Sequence, residues 1–178
     1  MEDPKNKLKE KVLFLFDVLK RYDHYIGTTN FKVGLLLSFL ATVIILLSTR
    51  IMSLETSHIS STIVYIFALL FYGGTIISSL LAVNSLLTVV FPNTKNDIDS
   101  SSLIFYGDVS NTANGASGYF KKVKEATTED LINDLATQTY IVAGIVDEKF
   151  KVLKKTVRIV RFAVIPFFLL SLLFLTFL

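Results

Sequence analysis

No cysteine occurs among the 178 residues, which removes disulfides, thiolate metal sites and cysteine nucleophiles together. Histidine is nearly as scarce. His24 and His58 fall on opposite sides of a predicted membrane span, so a histidine metal site or catalytic dyad within one subunit is not indicated. Glycines stand at 107, 115 and 118, yet neither a Walker spacing nor GxGxxG surrounds them, and a nucleotide-hydrolysing site has no scaffold. Serine and aspartate are plentiful, but no convergent motif gathers them for chemistry. The chain therefore reads as a protein that is not an enzyme, with no cofactor.

Charge is missing from long stretches. Apolar residues make up 52% of the chain and the mean hydropathy is +0.56, with the apolar residues gathered into blocks of membrane-spanning character. The first block follows a long charged stretch, unlike a cleavable signal peptide, so the first span is expected to remain as an anchor. No ionisable group lies deep in any block, so a proton relay or charged-substrate path has no carrier there.

The pattern predicts an all-α membrane protein. Asp3 and Pro4 suit a helix start, and Leu8, Val12, Leu15, Phe16, Leu19 and Tyr22 recur at three and four, predicting an amphipathic cytoplasmic helix within residues 1–30. A transmembrane hairpin occupies 31–91, with spans at about 31–49 and 62–91; the short connection makes them antiparallel neighbours. Gly73 and Gly74 favour close helix packing over a hinge. Residues 92–161 form a cytoplasmic loop and a long helix, with Thr127 and Asp130 spaced as a capping box. Leu103 to Tyr106 suggests an extended segment or tucked loop, and Tyr119 to Ala126 a brief helix. Residues 162–178 form a third transmembrane helix, with Pro166 predicting a kink near its start. Basic residues cluster before Phe31 and between Asn93 and Arg161, which places both segments, and the N-terminus, in the cytoplasm.

Four sets of residues invite function. From Ile132 to Val160 apolar residues alternate at three and four, and Val146, Phe150, Leu153 and Val157 form a seam that needs a helical partner, within the chain or in another subunit, so a homo-oligomer is expected. Tyr65, Tyr72, Thr75 and Ser79 give the second span a hydroxyl-bearing side, fit either for bonds between helices or for lining a pore. Lys121, Lys122 and Lys124 beside Tyr119 and Phe120 combine cations with aromatic faces, the pairing that holds phosphates and stacks bases. Lys151, Lys154, Lys155, Arg158 and Arg161 make a basic stripe suited to anionic lipid of the bilayer.

The order of short motifs resembles a known family. Asn30-Phe31-Lys32 opens the first span and Phe91-Pro92 closes the second; then come Leu103-Ile104-Phe105-Tyr106-Gly107, Tyr119, Gln138-Thr139-Tyr140 and Lys149-Phe150. Together they resemble the transmembrane effectors of bacterial anti-phage systems, chiefly the Pycsar effector domain and, similarly, the channel effector of Hailong systems. The resemblance implies an oligomeric channel or pore in the bacterial inner membrane. Its gate would answer a nucleotide-derived signal, a cyclic nucleotide or a short single-stranded DNA oligomer, made by a partner cyclase or nucleotidyltransferase. Asn30 departs from the aspartate more usual in the family, and the chain has no room for a separate cyclic-nucleotide-binding domain, which favours the Hailong-like arrangement. A non-conducting membrane adaptor that recruits a soluble partner is the alternative.

Overall fold

The computed structural model describes residues 4–52, 62–90 and 102–175. Among these every regular element is helical: α1 (Pro4–Met52), α2 (Thr62–Val90), α3 (Tyr106–Ser110), α4 (Gly115–Glu125), α5 (Thr128–Ile159), a π turn (Val160–Val164) and α6 (Ile165–Leu175). Three helical stretches, within Asn6–Met52, Thr62–Val90 and Thr128–Phe174, are long and apolar enough to cross a membrane. The capping role of Asp3 and the stop at Pro92 lie outside the described residues.

One expected break is absent. The amphipathic helix and the first span were expected to be separate, but α1 runs unbroken through Gly27, Thr28 and Thr29. No proline stands there, a single glycine costs a helix only about 1 kcal/mol, Thr29 is buried and Asn30 accepts from Lys149, so nothing forces a break. The long helix and the third span, between which Pro166 predicts a kink, are joined without a loop. At the junction the backbone widens into a π turn, in which the Ile165 N–H reaches the Val160 carbonyl five residues back. Pro166 explains the widening, since it lacks an N–H and its ring crowds the carbonyl four residues earlier.

The chain divides into two compact units whose boundary falls within α1 and within α5: one comprises Met1–Gly27 with Asn93–Asp147, the other Thr28–Pro92 with Glu148–Leu178. In the second unit, Val33, Leu40, Ala82, Leu86, Val89, Leu153, Val160 and Val164 form one core cluster, and Val43, Leu47, Ala68 and Tyr72 another. The buried residues of α2 recur at three and four from Ala68 to Val89, so one stripe of an otherwise uniformly apolar helix faces its neighbours. Gly74 serves close packing: a Cβ there would lie 3.3 Å from the Phe167 ring. Residue by residue, the predicted seam of α5 splits. Val146, Leu153 and Val160 are buried, whereas Phe150 and Val157 are exposed.

In the first unit α5 begins at the predicted box. The Thr127 N–H donates to Asp130 Oδ2 at 2.9 Å, the Thr127 hydroxyl donates to the same oxygen at 2.6 Å, and the Asp130 N–H donates to Thr127 Oγ1 at 3.2 Å. The hydroxyl bond first, then the backbone bond, lowers the Asp130 carboxyl below its ordinary value. Its stabilising contribution is therefore present above the unfolded pKa and is lost as pH falls through the folded one. Thermal melts should show wild type more stable than Asp130→Asn at neutral pH, with the gap closing below the usual carboxylate range.

Candidate functional site

Residues 102–105 precede α3 and α4 and are held by side chains rather than by a ladder. The Ser102 N–H donates to Asp108 Oδ2 at 2.9 Å and the Leu103 N–H to Asp134 Oδ2 at 2.8 Å. Ser102 Oγ in turn accepts from the Ile104 and Phe105 N–H groups at 3.1 and 2.9 Å. From α4 the Tyr119 hydroxyl donates to the Leu103 carbonyl at 3.0 Å. The predicted tucked segment is thus a pinned turn, its backbone groups satisfied by two aspartates, a serine and a tyrosine.

The Tyr119 ring also lines a cavity of about 280 Å³ with Phe16, Leu103, Ile104, Val123 and Leu135. Tyr119 therefore faces inward with Val12 and Val123, and the five residues singled out for a phosphate and a base do not share one face. Phe120, 69% exposed, stands on the outer side of α4 with Lys121 and Lys124. Lys121 Nζ lies 3.9 Å from Glu125 Oε1, with both side chains solvent-exposed, a pairing that an incoming anion would easily displace. Tyr119→Phe should cost about 1 kcal/mol through the lost hydroxyl bond, read as a lower thermal midpoint with no change in the salt dependence of any anion binding.

In the second unit, the hydroxyl side of α2 lies inside the helix packing. Tyr72, Thr75 and Ser79 are buried, and Tyr65 is half-buried. Thr75 Oγ1 and Ser171 Oγ are 3.1 Å apart, and farther along Thr156 Oγ1 is 2.8 Å from Ser85 Oγ. These pairs match the reading as bonds between helices. The Tyr72 hydroxyl and Ser79 Oγ have no hydrogen-bond partner among the described residues.

Lys149 lies at the end of this unit where α1 enters and α2 leaves it. It is only 5% exposed, and its ammonium donates to Asn30 Oδ1 of α1 at 3.1 Å and to the Val89 carbonyl in the last turn of α2. Among the described residues that carbonyl has no helical donor to meet it, and a cation at a helix C-terminus is favourable. One ammonium thus ties three helices together. Sequence analysis placed Lys149 and Asn30 in the resemblance only. A signal was nonetheless present: Lys149 falls in the three-and-four series of Val146, Leu153, Thr156 and Val160, all buried.

The profile of the Pycsar effector protein domain matches residues 14–177. The chain belongs to the Pycsar effector transmembrane family. Within it, the chain is 31% identical over 156 residues, covering 84% of this chain and 82% of the relative, to the Pycsar effector protein EcPycTM of Escherichia coli. No solved structure matches. Of the two systems that the motifs resemble, the match is to Pycsar, although the chain's compactness had favoured the Hailong-like arrangement. Lys149, Asn30, Leu103 and Tyr119 all lie inside the matched region.

Proposed function

We propose that this chain is the membrane effector of a cyclic-nucleotide anti-phage system, permeabilising the bacterial inner membrane when a partner cyclase makes its signal. The family match over 14–177 carries this reading, and the three helices able to span a bilayer supply the means. The ligand face is the outer side of α4, where Phe120 offers a ring and Lys121 and Lys124 offer cations. Lys122, on the same helix, adds to its positive field. The neighbouring cavity is walled by apolar groups and would admit a base more readily than a phosphate.

Conduction is the finer part of the proposal. With Tyr72, Thr75 and Ser79 buried within a single protomer, a pore lined by them needs the three-helix packing to open. A path between subunits would instead be lined by the exposed aliphatic face of α2. Phe150 and Val157, the exposed part of the α5 seam, would face a second copy, and weakening of self-association by Phe150→Asp would support that.

The test uses the purified full chain. The four 3′,5′-cyclic mononucleotides and short DNA oligomers are titrated at several salt concentrations, and conductance is recorded in planar bilayers with and without them. One cyclic nucleotide should bind and raise conductance. Phe120→Ala should weaken binding at every salt concentration by roughly 5- to 150-fold, the range that base stacking supports. Lys121→Ala and Lys124→Ala should flatten the salt dependence instead. Absence of binding at low salt would refute direct gating and leave sensing to a protein partner.

A further inference from the structure

The second unit contains a groove that the family assignment does not use. At the end opposite Lys149, a cavity of about 260 Å³ is walled by Leu46, Leu47, Phe168 and Leu172, with Tyr72 and Arg50 also on its lining. Arg50 is in the last turn of α1, beside the apolar stretch that enters the membrane. Tyr72 is 1% exposed, and its hydroxyl has no hydrogen-bond partner among the described residues. A buried hydroxyl without a partner is costly and marks a place where a ligand oxygen would be stabilising.

We propose that this groove binds an anionic phospholipid. An acyl chain lies along Leu46, Leu47, Phe168 and Leu172, the phosphate meets Arg50, and the Tyr72 hydroxyl donates to an ester oxygen. The occupant follows from three things together. The walls are aliphatic and aromatic and face hydrocarbon, so a water-soluble ligand would gain little there. The one cation on the lining stands near the helix end, where headgroups lie, and guanidinium binds phosphate with two parallel bonds. Of the other polar groups on the lining, the Thr49 hydroxyl already donates to the Leu46 carbonyl at 2.9 Å, which leaves the Tyr72 hydroxyl as a donor, and lipid esters are acceptors only. A lipid with net negative charge is attracted to the guanidinium, whereas in a zwitterionic lipid the choline charge offsets that attraction.

The measurement is native mass spectrometry of the full chain in neutral detergent, counting retained phosphatidylglycerol and phosphatidylcholine. Phosphatidylglycerol should be retained roughly fivefold better, the ratio expected of one basic residue at a lipid phosphate. Arg50→Gln should abolish that preference and Arg50→Lys should keep most of it. Tyr72→Phe should lower retention of both lipids. Arg158→Gln, a change in the basic stripe, should leave the preference intact. Leu172→Trp fills the groove while leaving Arg50 in place, so it should expel the lipid even if Arg50→Gln folds poorly. Equal retention of the two lipids, an unchanged preference in Arg50→Gln, or displacement of the lipid by free glycerol phosphate would overturn the proposal.

Discussion

Lys149→Ala should lower the thermal midpoint of the detergent-solubilised protein by several degrees. The substitution strands the buried Val89 carbonyl and leaves Asn30 Oδ1, on an exposed residue, to water. An unsatisfied buried group costs about 1 to 3 kcal/mol, so a loss of about 2 kcal/mol is expected. At the usual scaling for a chain of this size, that loss corresponds to roughly 4 to 8 °C. Asn30→Asp tests the same clasp from the other side. With Lys149 present, the new carboxylate gains a charged partner at a distance already suited to a hydrogen bond, and stability should hold or rise. Combined with Lys149→Ala, the carboxylate loses that partner and returns to water, so any gain from Asn30→Asp should disappear. A double-mutant cycle in which the two changes simply add would show that the ammonium does not join α1 to α5 in the folded protein.

Gly118→Ala should be at least as damaging, and in the first unit. A Cβ on Gly118 would stand 1.9 Å from the Ala113 carbonyl oxygen, a backbone atom that cannot step aside as a side-chain end can. The turn that brings it there passes through Asn114 and Gly115 at positive φ, 64° and 58°, so the strand of chain before α4 has little freedom to relax. Overpacking of this kind costs about 1 to 3 kcal/mol and occasionally more. Amide hydrogen exchange across 102–127 should rise in Gly118→Ala while exchange in α2 and α6 stays unchanged. The neighbouring Gly115→Ala meets nothing within 4 Å and is strained only by its φ, so its effect should be the smaller of the two.

Much of this was legible from the residues. The apolar blocks located the spans because hydrocarbon requires unbroken helix, and the Thr127 to Asp130 spacing located a cap because the bonds involved are local. What escaped was set by long-range partners. The seam of α5 carries one periodicity, but sequence does not say that Val146, Leu153 and Val160 are buried while Phe150 and Val157 are left exposed. Tyr119 sits beside three lysines in sequence, yet on a helix adjacent residues point about 100° apart, and its hydroxyl was spoken for by a carbonyl sixteen residues earlier. Asp108 and Asp134 carried no signal, because an aspartate that satisfies a distant N–H looks the same as one on a solvated surface. The continuity of α1 escaped for the opposite reason: the charged amphipathic stretch and the apolar run differ in character locally, and Lys149, which Asn30 meets, lies 119 residues away.

The π turn at Val160–Val164 accommodates one residue more than an α-helical turn would, and that surplus sets the phase of everything after it. Closing the segment into ordinary α-helix with its length unchanged would rotate α6 by about 100° relative to α5, whereas deleting one residue as the turn closes would leave that phase nearly unchanged. In the first case Ser171 would swing away from Thr75, and the Phe167 ring from Gly74. The C-terminal span is therefore keyed like a splined shaft: its fit against α2 depends on this turn taking up the surplus residue, and a change that closes the turn without removing that residue alters more contacts than most substitutions within the span itself.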